Sequence, residues 1–553
     1  MFVIDRAMGN QEISHSRDFH EFTKHSEVSI QTPGHRLDFG NKPNPFKFYT
    51  KLPSIPLPTV FPKPEDGTLT AISRIGSVGQ LPSEINIMVI AEILFFTAGV
   101  TRSLQYDTDT IYMRAASATG ALYPIELYLA CEDITGLKAG VYHFNPGDFS
   151  LTLLREGDYR LHLSEAAGDD TSIQTSPALI VFSSIAWRNA WKYRDRSYRH
   201  WFWDSGVMAA NLLATVNSIG LRINFNVGFF DDVVNRLVCA ENRQEAVIAL
   251  APIGVGLSKK NTSNNNKEVG RAEITVLNHE TLPLSEKGQV EYPMIWKIHE
   301  ASNLQSNDEV KKWIDVDKII KQKIIKQNTT TQAMILDSIP LLPPNYSNDP
   351  PLSDIILLRG SSRRFARKPI SFAQLCNILH SSGTGIPLDF TKGGKVSITD
   401  AYFIANDVEG LPRGSYYFNR NSESLDLLKR DVHRDVSGYL CLWQSLFSDA
   451  SIVFFLMTPL EQVIANYGNR GYRAAQFEAG IIAGKIYLAA YAQGIGASGS
   501  TFFDDAVTEF FSPHATDKST MIAIGVGVPG YKSKSGKVLA GKWTRDQLLP
   551  RVG

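Results

Sequence analysis

The sequence predicts an α+β fold written twice in tandem: two domains, each a mixed β-sheet flanked by helices, joined as an intramolecular pseudo-dimer. Three observations lead there. The chain has 553 residues, enough for two or more domains that each bury a core of their own. A set of short motifs recurs at a nearly constant offset. Within each copy, short β-branched apolar runs are followed by long helices rich in small residues, the pattern of a mixed α and β unit.

The repeat is the strongest of the three. The run YRDRSYR from Tyr193, continuing to Asp204-Ser-Gly206, returns 274 residues later as YGNRGYR from Tyr467, continuing to Glu478-Ala-Gly480. Gly220 and Gly494 keep that offset, as do GLKAGVYHF (136–144) and GLPRGSYYF (410–418). GFFDD at 228–232 is echoed by TFFDD at 501–505, and IGVG at 253–256 by IGVG at 524–527. Chance does not hold an offset of 271 to 274 residues over so long a stretch.

The elements follow in order. ALIVFSSI (178–185) and ASIVFFLM (450–457) read as buried strands. Each precedes a helix of small apolar residues, from about Gly206 to Ile219 and from Gly480 to Gln493, with a glycine just beyond the end. IELYLA (125–130), VYHF and SYYF supply further strands. Boundaries fall at 1–70 for an N-terminal arm, 71–256 for the first domain, 257–350 for a connector, 351–536 for the second domain and 537–553 for a tail. The connector opens on the polar tract KKNTSNNNK, passes through the basic helical stretch KKWIDVDKIIKQKIIKQ and closes on the Pro-rich strap IPLLPPNYSNDPPL. The basic stretch reads as the solvated face of a linking helix rather than a nucleic-acid site.

Composition narrows the function. Lys+Arg and Asp+Glu are 56 each, so no net field directs the chain to nucleic acid or to a membrane surface. Cys131, Cys239, Cys376 and Cys441 form no CxxC pair, so neither a metal site nor a disulfide framework is expected. No basic region leads into an apolar core at the N-terminus, and the longest apolar run, Ile87 to Val100, is too short to span a bilayer. A cytoplasmic protein is the expectation.

Chemistry is written where the second half opens. Arg359-Gly-Ser-Ser-Arg363, extended by Arg364 and Phe365, puts guanidiniums, two hydroxyls and a glycine turn beside the helix start KPISFAQLCNIL. That is a phosphate cradle, set against the blander reading of a solvated Arg/Ser run.

RGSSRRF, then a strand, then YGNRGYR to the EAG at Gly480, then a glycine turn into FFDD, resembles the nitroreductase-like flavoproteins. Within them it is most similar to the SagB/ThcOx-type dehydrogenases. The first half adds RAASATGALYPIE (114–126) and WKYRDRSYR (191–199), and the leader FTKHSE to LDFGNKPNPFKFY is similar to that family's N-terminal arm. The resemblance implies flavin mononucleotide (FMN) bound at an interface between two copies, which a duplicated chain forms within itself.

The copies differ in a complementary way. The first half answers RGSSRRF only with RIGSVGQ from Arg74 to Gln80, and the second answers RAASATGALYPIE with the shortened TKGGKVSITD ending at Asp400. One interface site therefore keeps both its elements, and the other combines two damaged ones. For the surviving site the resemblance implies Arg359, Gly360, Ser361 and Arg363 on the phosphate and ribityl chain. Lys532 and Lys534 add to the phosphate, against the alternative of a solvated tail. Ser498, Gly499 and Ser500 line the flavin, and Gln444 matches a family glutamine, with Ser172 in the corresponding place of the first half. Ser117, Ala118, Thr119 and Gly120 approach from the facing half, although Ser-Ala-Thr-Gly stands where Pro-Ser-Ala-Gly is usual. Lys192 and Tyr193 match a catalytic Lys-Tyr pair. Oxidising a C–H beside nitrogen needs a base, and a desolvated lysine next to a tyrosine supplies one; the alternative is an ion-pairing helix start with Asp195 and Asp204.

The expected function is FMN-dependent oxidation or reduction, with hydride passing between one FMN and a small-molecule or modified-peptide substrate. The alternatives are an NAD(P)H-dependent reductase of nitro or quinone compounds, and a decayed flavoprotein kept as a scaffold.

Overall fold

A computed structural model describes residues 9–31, 35–75, 84–105, 110–240, 243–258, 274–315, 335–391, 393–394 and 396–549. The polar tract 259–267, most of the basic stretch and residues 76–80 of the RGSSRRF counterpart lie outside them. Two antiparallel sheets carry the repeat. In the first the strand order is Ser54–Pro56, Ser150–Glu156, Gly140–Asn145, Ile125–Cys131, Ala178–Ile185, Glu245–Ile253. In the second it is Asp337–Pro340, Ser424–Arg430, Gly414–Asn419, Asp400–Ala405, Ile452–Thr458, Ser519–Gly527, with Gly496–Ser500 added at the far edge. IGVG at 524–527 lies inside its strand, which Glu245–Ile253 answers, whereas IGVG at 253–256 starts at a strand's last residue. That echo is not part of the structural repeat.

The apolar runs become strands because both their faces are covered. Every residue of Ala178–Ile185 and Ile125–Cys131 is buried. Leu127, Leu129, Ile180 and Phe182 enter one core, while Tyr128, Ala130, Leu179 and Val181 enter another on the opposite face, as the two-residue period of a strand requires. Each such Leu, Ile or Phe contributes about 1.5–3 kcal/mol by leaving water.

The two central helices, Ser197–Ser218 and Asn469–Ala492, are buried along all but their last residue. They cross where Gly206 meets Gly480: a Cβ on Gly206 would lie 2.6 Å from the Gly480 Cα. This contact explains the glycine ending both Asp204-Ser-Gly206 and Glu478-Ala-Gly480. A larger residue at either place separates the halves.

The Arg-rich motifs interlock the halves reciprocally. Arg196 and Arg199 of the first bind Asp504 of the second at 3.1 and 2.6 Å, and Arg470 and Arg473 of the second bind Asp231 of the first at 2.6 and 2.8 Å. All six groups are buried. The ion-pairing reading of WKYRDRSYR is therefore right in kind, but its partner is Asp504 rather than Asp195 or Asp204.

The repeat also reaches into both flanking segments. Arg199 donates to the His20 carbonyl at 2.8 Å and the His25 amide to Asp504 at 2.8 Å. In the other half, Arg473 donates to the His299 carbonyl at 2.5 Å and the Leu304 amide to Asp231 at 2.9 Å. The helix Pro293–Ala301 is thus the second half's copy of the arm helix Ser14–Phe22. The strap behaves likewise: Ser54 and Ile55 pair with Thr152 and Leu151, and Ser338 and Ile339 with Asp426 and Leu425. Much of the span read as a connector is second-half fold.

Before the sheets the halves part. The helix Ile87–Ala98 has its copy in Phe372–Gly383, but among the described residues only the first half then inserts a hairpin, Val100–Gln105/Thr110–Arg114. That hairpin delivers the chain into the loop 115–120.

Candidate active site

The second half's edge strand Gly496–Ser500 pairs on one side only, with Ser519–Gly527. The segment Arg359–Phe365 runs along its other side: the Ser362 amide donates to the Ala497 carbonyl at 2.8 Å. Ser361 Oγ lies 3.4 Å from the Tyr487 hydroxyl, which also accepts from the Gly499 amide. Gln444 Nε2 donates to Ser500 Oγ at 2.8 Å. Ser361, Gly499, Ser500 and Gln444 are thereby brought together, with Gly499 exposed and Ser498 turned inward and buried. The tail lies beside them, since the Arg363 amide donates to the Tyr531 hydroxyl at 3.2 Å and the Gly536 amide to the Leu357 carbonyl at 2.8 Å. Arg363, Lys532 and Lys534 are exposed on this ledge.

Arg359 ties the two halves together. It is buried, and donates from Nε and Nη2 to the Ala115 carbonyl at 3.0 and 2.7 Å and from Nη2 to that of Arg114 at 3.1 Å. These carbonyls begin the first half's facing loop. Arg359 is a strut between the halves through Nε and Nη2, and the Arg363 guanidinium is exposed on the ledge. Arg102 of the inserted hairpin adds a second strut, donating to the Leu357 and Leu358 carbonyls at 2.9 Å each.

The facing loop is held from beneath. Thr119 donates from its amide and hydroxyl to Asp204 Oδ1, both at 2.8 Å. Burial pushes Asp204 up to about 7, against those hydrogen bonds. Gly120, at φ +65°, lies so close to Tyr193 that a Cβ would stand 2.7 Å from the phenol oxygen. Tyr193 is half-buried and pushed up to about 12 by burial; Asp204 adds to the rise, and Arg363 from the other half pulls against it. The Arg363 ledge, Tyr193 and the loop 117–120 thus border one cleft. Lys192 is exposed, its ammonium 5.2 Å from the Tyr193 ring centre. The desolvation expected for it is not found, because it sits on the solvent face of the helix Ala186–Tyr193.

Three polar residues went unseen in the sequence. His200 Nδ1 lies 2.6 Å from Asn189 Oδ1, Asn189 Nδ2 reaches the Thr119 carbonyl at 3.5 Å, and the His200 ring meets Tyr193 edge-on at 4.7 Å. Burial, with the charges of Arg196 and Arg199, holds this imidazole well below the usual histidine range. His25 of the arm is lowered to about 3 by burial and by Arg196. The repeat itself holds the signal: His200, Asn189 and His25 stand where the other half has Ala474, Val463 and Leu304.

The related cleft on the other side is filled with protein. The first half's equivalent of the free strand edge is bridged at Phe225, whose amide donates to the Pro387 carbonyl at 2.8 Å and whose carbonyl accepts from Asp389 at 2.9 Å. Asp389 then takes the Val227 and Gly228 amides at 2.8 and 2.7 Å. Trp313 seals the space, packing on Phe390 and on Tyr467, the copy of Tyr193, and donating to the Tyr467 carbonyl at 2.9 Å. Phe225, Leu388, Phe390, Trp313 and Tyr467 are all buried. Arg74 is engaged by Asp66 and by the Asn217 carbonyl. The partner of Gln444 in this half is Asp170 rather than Ser172, because Asp170 binds Asn226 as Gln444 binds Ser500.

The open cleft suits a planar cofactor with a phosphate tail. Its walls carry an exposed glycine on each side, Gly499 and Gly120, its rim carries three cations, and the Ser362 hydroxyl beneath is buried without a partner. Among the described residues no cluster of His, Cys, Asp and Glu could hold a metal, and no helix is long and apolar enough to cross a membrane.

Comparison with known proteins agrees with this fold. Residues 356–528 match the model of the Nitroreductase family. The chain is similar to the protein MJ1384 of Methanocaldococcus jannaschii, named as a nitroreductase, at 25% identity over 31% of this chain and 82% of that one. It is 28% identical to the trifolitoxin-processing protein TfxB of Rhizobium leguminosarum bv. trifolii over 29% of this chain and 44% of that one. It is 29% identical to the microcin B17-processing protein McbC of Escherichia coli over 24% of this chain and 52% of that one. The match thus spans about half the length of these two processing proteins. A crystal structure from Anabaena variabilis, also named as a nitroreductase, superimposes with a TM-score of 0.71 at 24% identity, covering 93% of this chain and 99% of that one. It supports the doubled fold.

Proposed function

We propose that the chain, whose residues 356–528 match the Nitroreductase family and which is similar to TfxB and McbC, is a SagB-type, FMN-dependent oxidoreductase with one flavin per chain, held in the open cleft of an intramolecular pseudo-dimer. The observation that carries the proposal is that one of two repeat-related clefts is open between glycine walls, while the other is closed by side chains of the protein itself. FMN, when bound, supplies the acceptance or donation of hydride; the protein supplies position and polarity.

Arg363, Lys532 and Lys534 hold the phosphate, where charge-assisted hydrogen bonds are strongest. Ser361 serves the ribityl chain. Gly499, Ser500 and Gln444 line one side of the ring, and the loop Ser117–Gly120 the other. Arg359 and Asp204 fix that loop from opposite ends, so a substrate meets a preformed surface. Raised to about 12, Tyr193 is a phenol at neutral pH. It therefore donates a hydrogen bond to a substrate heteroatom rather than removing a proton. Lys192, exposed at the rim beside it, acts on substrate charge and not as a desolvated base. TfxB and McbC are named for the processing of peptides, trifolitoxin and microcin B17, and by that likeness the substrate proposed here is peptide-derived.

The test is the visible spectrum of the purified protein with its flavin content. One FMN per chain is the expected result. Two per chain would overturn the asymmetry, and a colourless protein that ignores added FMN would favour a scaffold. Bleaching of the bound flavin by NAD(P)H would move the reading toward a nitro- or quinone-type reductase.

A further inference from the structure

The turn before Gln444 is built in a costly way. Leu442 and Trp443 occupy the left-handed region in succession, at φ +61° and +55°. Bulky side chains adopt it only where the surroundings impose it. The repeat shows what the same turn looks like without that demand. Its copy in the first half is Gly168–Asp169, at φ +79° and +63°, residue types that accept the conformation readily. The second half thus keeps two large apolar residues where the fold is content with Gly-Asp.

What lies over the two turns also differs. The first is covered by the helix Asn307–Ile314: a Cβ on Gly168 would meet Val310, Lys311 and Ile314 within 3.5 Å, and Lys311 pairs with Asp169. The same helix carries Trp313 into the closed cleft. Among the described residues, what lies near the second turn is the short helix Glu27–Gln31, which buries none of its residues and reaches the turn through Glu27, bonded to the Tyr439 hydroxyl at 2.8 Å. Trp443 is 50% exposed. It rests edge-on against Phe503 at 4.8 Å and near Tyr439 at 6.0 Å. The next residue, Gln444, is tied to Ser500 on the strand that walls the open cleft.

We propose that Trp443 is a specificity-determining residue of the open cleft, its uncovered indole stacking on a planar, π-conjugated substrate ring. The inference rests on the function proposed above and adds the class of substrate. An indole fixed by its edge against Phe503 offers a face at little entropic cost, and stacking rewards flat rings over saturated ones of the same size.

The experiment titrates the FMN-loaded full chain with benzoate and with cyclohexanecarboxylate, read by the shift of the flavin's visible band. Wild type is expected to prefer the flat ring. Trp443→Gly should bind benzoate about tenfold more weakly and lose the preference, while Trp443→Phe keeps most of it. FMN content should not change, and the thermal midpoint of Trp443→Gly should hold or rise, since glycine relieves the turn. Equal preference in wild type and Trp443→Gly, or no preference in wild type, overturns the proposal and leaves the flavin reading standing. A wild-type chain that takes up no FMN overturns both.

Discussion

One cleft has Gly499 and Gly120 on its walls; its repeat-related partner has Phe225 bridged to Pro387 and Asp389 and is sealed by Trp313 and Phe390. Both are built from the same strands, the same central helices and the same Arg–Asp ties. The difference therefore lies in what fills the space and in the hairpin Val100–Gln105/Thr110–Arg114 that carries the facing loop of the open cleft. Where glycine stands at the strand edge, room remains for a flat group; where phenylalanine stands, the chain supplies the filling. The comparison teaches that a shared scaffold can be kept intact while only one of its two cavities stays in use.

The frame should break equally on both sides. Asp504→Ala and Asp231→Ala each strand two buried guanidiniums, and each should cost about 3–5 kcal/mol in chemical denaturation. A large cost at one and a negligible cost at the other would show that the halves are held unequally. The cavities should break differently. Gly499→Phe, which makes the open edge resemble the closed one, should weaken FMN binding by about a hundredfold or more with the fold retained. Phe225→Ala should cost about 3–5 kcal/mol of stability and leave flavin content at one per chain; a second flavin appearing there would mean that the filling alone sets the asymmetry.

The smallest effect is a pH dependence. Asp204 is pushed up to about 7 by burial, so its folded value lies above its unfolded one. The neutral acid is favoured at low pH, and stability falls as the pH rises from about 4 through 7. Asp204→Asn keeps an acceptor for Thr119 without an ionisable group. It should flatten that slope, gaining about 1–2 kcal/mol relative to wild type at pH 8 in denaturation at several pH values. An unchanged slope would shift attention to Asp389 and Glu478, both also raised to about 7 by burial.

Much of this was legible in the sequence where side chains make the structure. The offset of 273 to 274 residues survives in motifs whose groups are used: Arg and Asp for the cross-ties, Gly206 and Gly480 for the helix crossing. The repeated arm was not legible, because Arg199 and Arg473 meet the carbonyls of His20 and His299, and a backbone acceptor leaves no mark on residue identity. Arg359 and Lys192 show a second limit. Their charge is plain in the sequence, but whether it is buried against carbonyls or exposed to water depends on which elements lie across from it. The filling of the closed cleft has no motif at all: Trp313, Phe390 and Phe225 come from three distant segments and read singly as ordinary core residues.

The crossing at Gly206 and Gly480 has a consequence for how such a molecule can change. In an assembly of two identical chains, every substitution is made twice, and an alteration that ruins one cavity ruins both. Once the two copies are joined end to end, each position becomes a separate locus, and the contact between helices no longer depends on two molecules finding each other at cellular dilution. A tether of this kind lets one cavity be surrendered to structural duty while the other is tuned, and the surrendered side becomes ballast that steadies the working one.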